Sequence, residues 1–252
     1  MRFVVHALGT VESTQSEVQR LAAAGAPEGI VVTAHHQQAG RGRRGHRWWD
    51  APGESLLVSI LLRPTRPLAT VPELALVGGL AVAEALATAD VAAHIRWPND
   101  VLVGGVKVCG ILAEAASDGR GEMSARAHHV ILGIGINLNQ TGFPASLGGT
   151  ATSLRLATGR VQDAGPLLGV VLARLEQRYE EWLAGGFVAM RADWLAHALL
   201  PGQMVRLPDG SLGVGEDVRD DGVLLARAGD GRLVAVVSGG VVEEVTAHAA
   251  GH

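Results

Sequence analysis

The chain has one cysteine, Cys109, in 252 residues. With one thiol, neither an internal disulfide nor a cysteine-rich metal site can form. Lysine is equally scarce: of 21 basic residues, only Lys107 is not arginine. Aromatic residues are 4% of the chain, so each of the five tryptophans needs a local reason. No run of about 18 uncharged apolar residues is present, and the most apolar stretch, 71–89, is interrupted by Pro72, Glu73 and Glu84. The opening MRFVVHALGTVES has no apolar segment followed by a small-residue cleavage site. These absences argue against a disulfide scaffold, a membrane-spanning helix and a secretory leader, and predict a soluble cytoplasmic protein with no membrane partner. The net charge of −4 counts against general nucleic-acid binding, while leaving a local basic patch open.

Hydrophobic residues at 48% are ample for the core of one large domain, or of one large and one small. Residues 2–8, 29–36 and 54–63 read as strands, rich in β-branched and apolar residues. Ser13 is an N-cap candidate for a helix that Gly25 ends. The alanine-rich segment 72–89 has helical periodicity, as do 163–186 and 187–197. A short strand at 93–97 precedes a hairpin over 100–117 that turns at Gly104 and Gly105. Residues 127–139 read as a strand buried at its centre. After Pro201 the texture changes to short alternating runs separated by Pro-Asp-Gly, Asp-Asp-Gly and Gly-Asp-Gly. Turn signals at such even spacing mark a small all-β barrel. The expectation is therefore an α+β protein: residues 1–200 form a catalytic domain with a mixed β-sheet backed by helices, and 201–252 a small SH3-like β-barrel with a loose tail.

Against the acidic whole, the segment QQAGRGRRGHRWW at 37–49 concentrates four arginines, three glycines and two tryptophans. Gly40, Gly42 and Gly45 let the backbone bend and expose N–H groups to an anion. Arg41, Arg43, Arg44 and Arg47 would neutralise phosphate or carboxylate. A solvated basic loop or a nucleic-acid patch fits the composition equally well. The spacing is not the P-loop GxxxxGK[ST]. GRGRRG has glycines at the dinucleotide spacing, but no helix is predicted after it, as that fingerprint requires.

The lone Lys107 points to a place where guanidinium cannot substitute, because ammonium is a compact point charge and guanidinium a planar fork. Trp97-Pro98-Asn99-Asp100 could be only a turn, Gly133 and Gly135 only close strand packing, and Asn137 only a strand-end cap. The pairs His35-His36 and His128-His129 would face opposite sides of a strand and make poor chelates, so no metal-binding residue is assigned. Cys109, in alternation with Lys107 and Ile111, should point into the core as a small hydrophobe.

Taken in order, EST at 12–14, QQAGRGRRGHRW at 37–48, WPND at 97–100, KVCGIL at 107–112 and GIGIN at 133–137 resemble the biotin protein ligases. The likeness covers essentially the whole chain. Two departures stand out: Gln15, where asparagine is common, and His46 in the variable part of the loop. Some relatives carry an N-terminal DNA-binding helix-turn-helix. Here the catalytic pattern starts at residue 1, which implies a ligase that does not bind DNA.

The resemblance implies a chemistry. Such ligases join biotin and ATP into biotinyl-5′-AMP, with Mg²⁺, and pass biotin to a lysine of a biotin carboxyl carrier protein domain. The catalytic group would be Lys107, Arg43 and Asp100. Biotin would meet Ser13, Thr14, Gln37, Gly40, Arg41 and Gly110. The nucleotide would meet Arg43, Arg44, Trp48, Asn99, Lys107 and Asn137. Lys107 would sit between the biotin carboxylate and the α-phosphate, and Asp100 would orient its neighbours or act on the incoming amine. The arginine-glycine loop would be a mobile clamp that orders around its ligands, closed by Trp48. A lipoate-type acyl-adenylating ligase and a non-catalytic nucleic-acid-binding protein are the rival readings. The carrier, the order of substrate binding and the oligomeric state stay open, a homodimer included.

Overall fold

A computed structural model describes residues 1–116 and 129–237. The start of the strand read at 127–139, His128 with it, lies outside the described residues, as do the final part of the expected barrel and the tail. The elements in chain order are β1 (Val4–Val11), α1 (Thr14–Ala23), β2 (Ile30–Gln37), β3 (Ser55–Leu62), α2 (Glu73–Ala87), β4 (Ala93–Arg96), β5 (Asp100–Val103), β6 (Val106–Ala116) and β7 (His129–Asn137). After them come α3 (Leu154–Thr158), α4 (Ala164–Gly185), α5 (Arg191–His197), β8 (Met204–Arg206), β9 (Leu212–Val218), β10 (Leu224–Ala228) and β11 (Leu233–Val236).

Seven strands form one mixed sheet in the order β1-β2-β3-β7-β6-β5-β4, with β1 and β2 parallel and the remaining pairs antiparallel. The period of two in HVILGIGIN sorts β7 onto two faces. Val130, Leu132, Ile134 and Ile136 join Val58, Ile60 and Ile111 in the main core. Helix α2 covers this face, and α4 packs behind it. On the opposite face Ile131, Leu61 and Val32 meet Val18 of α1 in a second, smaller core. Helix α1 starts where expected, with the Ser13 side chain accepting from Gln15 N at 3.2 Å.

Two local details depart from the sequence expectation. The helix expected at 187–197 opens as a 3₁₀ turn, Phe187–Met190, before α5. Gly186 has φ +77°, and Phe187 N donates to the Glu73 carboxylate at 3.2 Å, so the first turn is tied to another helix. Helix α3 has no counterpart in the sequence pattern. Its five residues are too few for a periodic signal, and it exists because Ser153 caps its start while Gly159, at φ +71°, closes its end.

Beyond residue 200, β8 to β11 form an antiparallel sheet in the order β11-β10-β9-β8, where the barrel was expected. This sheet is stitched to the large one. The buried Trp97 indole donates to Gly222 O, between β9 and β10, at 2.9 Å, and just before it Ile95 of β4 bridges in parallel fashion to Ala198 in the connector that follows α5. None of the described helices is long and apolar enough to cross a membrane.

Candidate active site

On the face that α1 half covers, the sheet is hollow. Cross-strand partners Gly110 and Gly135, with Gly133 next along β7, leave the floor without side chains. That floor is filled from above. A Cβ at Gly135 would come 2.7 Å from Cε2 of Trp48, one at Gly110 would come 3.0 Å from Trp48 Cζ3, and one at Gly133 would come 2.9 Å from Gln15 Cδ. The three glycines are therefore required by close approach, not by backbone angle. A cavity of about 250 Å³ opens here, lined by the glycine floor, α1, the arginine-glycine loop and the β4–β6 hairpin.

One end of the cavity is polar and neutral. Thr14 donates to Gln37 Oε1 from its backbone N at 2.8 Å and from its hydroxyl at 3.1 Å, and its hydroxyl pairs with Ser59 Oγ at 2.7 Å. The other end is cationic. Arg41, Arg43, Arg44, Arg47 and Lys107 line the cavity, against a single carboxylate, Asp100, among the described residues. Such an excess calls for an anionic guest. Arg43 makes this concrete: burial first, then its neighbour Arg44, holds its guanidinium below the ordinary arginine range, with Asp100 opposing. A phosphate would offset that penalty with opposite charge.

The loop is a narrow hairpin rather than an irregular strap. Trp48 N donates to Gly40 O at 3.0 Å, Arg41 and Arg47 form an antiparallel bridge, and Gly42 N donates to His46 O at 2.7 Å. Its tip turns through left-handed conformations at Arg44 (φ +55°) and Gly45 (φ +77°). Arg41 ties one side down, reaching Glu114 at 3.4 Å and Ser16 Oγ at 3.3 Å. The other side is pinned where His36 Nδ1 meets Asp50 Oδ2 at 2.8 Å. The Trp48 indole lies on the glycine floor with its Nε1 buried and, among the described residues, without a hydrogen-bond partner.

Lys107 reaches this face through an irregularity. Strict alternation would put it beside Cys109 and Ile111, on the core side. The β5–β6 register instead pairs Val101 with Cys109 and Leu102 with Lys107, leaving Val108 as an extra residue. This β-bulge re-aims the lysine into the cavity. Cys109 stays fully buried in the core, where burial pushes its thiol well above the usual range. The Lys107 ammonium lies 2.6 Å from Asp100 Oδ1 and 5.8 Å from the Trp48 ring centroid. Arg96 holds the other Asp100 oxygen at 2.7 Å. Asn99 accepts from Arg43 at 3.1 Å and donates to Ile111 O at 2.9 Å.

The cavity thus brings together Thr14, Gln37, Arg41, Arg43, Arg44, Trp48, Asn99, Asp100, Lys107 and Gly110. Ser13, Gly40 and Asn137 do not line it. Ser13 caps α1, and Gly40 sits at the base of the loop hairpin, where a Cβ would come 2.7 Å from Trp48 O. Asn137 donates to Thr152 O at 2.9 Å, and Thr152 N in turn donates to Lys107 O at 2.8 Å, so it supports the lysine strand from behind. Among the lining residues that the predicted site leaves out are Gln15, Leu57, Val58, Ser59 and Leu112. The signal for Gln15 is its departure from asparagine; a serine inside a buried strand is the signal for Ser59.

A family model described as the biotin/lipoate A/B protein ligase family matches residues 8–137. The chain is 37% identical over 227 residues to the bifunctional ligase/repressor BirA of Bacillus spizizenii, covering 88% of this chain and 68% of that protein. It is 34% identical over 240 residues to the biotin–[acetyl-CoA-carboxylase] ligase of Mycobacterium tuberculosis, covering 91% and 85%. The solved structure of the biotin protein ligase from Aquifex aeolicus in complex with biotin and ATP superimposes with a TM-score of 0.78 at 30% identity, covering 94% of this chain and 96% of that one.

Proposed function

Because the chain belongs to the biotin/lipoate A/B protein ligase family, we propose that it is a biotin protein ligase. In the first step a biotin carboxylate oxygen attacks the α-phosphorus of ATP, the bond to the β-phosphate breaks, and pyrophosphate leaves. In the second a carrier lysine attacks the carbonyl carbon of biotinyl-5′-AMP, and AMP leaves. The observation that carries this reading is one cavity with a neutral polar end and a cationic end, joined across a side-chain-free floor.

The first step brings a carboxylate up to a triphosphate, and the main obstacle is like-charge repulsion. Biotin lies along the glycine floor with its ureido ring at Thr14, Gln37 and Ser59, near the Ser13 cap. Its carboxylate then points to Lys107, whose ammonium holds it against the α-phosphate. Arg43, Arg44 and Arg47 take the phosphate charge, and Arg41 with Gly40 keeps the loop seated. Trp48, Asn99 and the Asn137-supported strand flank the nucleotide. Asp100 orients Lys107 and is the carboxylate nearest an incoming amine, which must lose a proton as the amide forms. Mg²⁺ would be held by the nucleotide and would offset phosphate charge there. Among the described residues Asp100 is the one carboxylate lining the cavity and both its oxygens are engaged, so these residues form no magnesium cage. Residues 1–200 would carry this chemistry and 201–252 would form an accessory C-terminal domain. The partner is the carrier domain, with the cytoplasm as the site of action.

The test is pyrophosphate release from ATP with biotin, with lipoate, or with neither. Release that requires biotin is expected. Release driven by lipoate would transfer the chain to the lipoate ligases. Silence with both, together with salt-dependent nucleic-acid binding, would leave the loop as a basic patch.

A further inference from the structure

Trp97 stands between the small sheet and the β5–β6 hairpin, and its backbone is held by a side chain. Gln203, the residue before β8, accepts from Trp97 N through Oε1 at 3.0 Å and donates from Nε2 to Trp97 O at 2.7 Å. The contact continues a ladder. Ile95 bridges to Ala198, and Leu199 N donates to Ile95 O at 2.9 Å. Two residues further along the chain, the glutamine amide takes the place of the next strand residue. Its own backbone is fixed, because Gly215 N of β9 donates to Gln203 O at 2.7 Å. The Trp97 indole adds the bond to Gly222 O.

Immediately C-terminal to Trp97 lies the part of the cavity wall that carries charge. Asn99 meets Arg43, and Asp100 meets Lys107 and Arg96. We infer that Gln203 is a positioning residue for adenylation: by clamping both backbone groups of Trp97, the C-terminal sheet sets Asn99 and Asp100, and through them the reach of Lys107. The Gln203 amide bonds to Trp97 and not to Asn99, Asp100 or Lys107. It acts as an outer support of the kind that fixes functional groups at one remove. The neutral polar end, Thr14, Gln37 and Ser59, rests on other strands and on α1, so recognition of the biotin ureido ring is outside the clamp's influence.

The single lysine makes this testable without assuming the activity. A water-soluble N-hydroxysuccinimidyl acetate can acylate only Lys107 and the N-terminal amine, which is held by Glu176 and Glu180 of α4, far from the joint in sequence. Gln203→Ala should raise the acetylation rate of Lys107 by about threefold or more, read by mass spectrometry, with the N-terminal rate unchanged in the same molecules. In the ligase assay, which rests on the proposed function, kcat for biotin-dependent pyrophosphate release should fall about tenfold while KM for biotin holds. Gln203→Glu, which keeps the acceptor for Trp97 N and loses the donor to Trp97 O, should fall between. If Gln203→Ala does not fold, Gln203→Glu carries both measurements alone.

An unchanged Lys107 rate would overturn the inference. So would a rise shared by both amines, which would report a general loosening of the fold. Equal loss in kcat and in biotin KM, tracking a loss of Tm, would do the same. If wild type releases no pyrophosphate with biotin but the Lys107 rate still rises selectively, the clamp stands and the ligase reading falls.

Discussion

The two faces of the central sheet are made from alternate residues of the same strands and are built to opposite ends. Toward α2, β7 offers Val130, Leu132, Ile134 and Ile136, packed with Val58, Ile60 and Ile111. Toward the loop the same strand offers Gly133 and Gly135, opposite Gly110, and the space is left for Trp48, Gln15 and a guest. One face supplies burial and the other supplies absence. The difference teaches that stability and function can be separated here residue by residue, since one position along the chain moves from one face to the other.

The sharpest way to test the hollow face is through its single ammonium. Lys107→Arg keeps the charge but must fit a planar fork beside Gly110 and under Trp48, where the Lys107 Cε already lies 3.2 Å from the position of a Gly110 Cβ. Biotinyl-5′-AMP formation should drop by about 10²–10³-fold, the usual loss for a misplaced donor at a reacting charge, with the circular dichroism spectrum unchanged. Adenylate synthesis at the wild-type rate would show that the lysine is retained by chance.

A smaller and more direct comparison uses neighbours. Gly135→Ala puts a methyl group into the Trp48 ring, so kcat/KM for biotin should fall about tenfold or more while Tm moves by only a few degrees. Ile136→Ala opens a cavity in the main core and should cost about 2–5 kcal/mol of stability, with the folded fraction turning over normally. Urea unfolding and initial rates on both variants decide it. If Gly135→Ala proved the more destabilising, or Ile136→Ala the more damaging to catalysis, the division of labour between faces would be wrong.

Much of this is legible in the sequence, for physical reasons. The period of two in GIGIN announces a strand with one bare face, and the arginine-glycine cluster in an acidic chain announces a cationic lining. A lone lysine among arginines draws attention to a residue that the structure places in the cavity, and Ser13 before a helical run is a cap. The hidden part depends on register and on distant partners. The bulge at Val108 adds one residue and reverses the side on which Lys107 emerges, which no alternation rule can foresee. Ser59 sits in an apolar strand and becomes a site residue only because Thr14 folds over it. Gln203 has no local signature, because its role exists only where the chain returns, about a hundred residues later, to Trp97.

The mildest test concerns a carboxylate placed on the apolar side. Glu73 begins α2, 7% exposed, and its Oε2 accepts from Trp182 Nε1 at 2.6 Å and from Phe187 N at 3.2 Å. These bonds and the nearby Arg66 favour the carboxylate, yet burial outweighs them and raises its pKa above the ordinary glutamate range. A raised carboxyl contributes stability below its unfolded pKa, and loses that contribution as pH climbs through the folded one. At neutral pH the ionised side chain therefore weighs against the fold. A glutamine at this position would keep an acceptor oxygen for both donors and carry no charge. Glu73→Gln should stabilise the protein by about 1 kcal/mol or less at pH 7, and the gain should shrink as pH falls below the ordinary glutamate range. Paired Tm measurements across that range check the sign: a variant less stable at neutral pH, or one whose advantage grew on acidification, would mean that the bonds to Trp182 and Phe187 need the full negative charge, and that even the packed face relies on an ion.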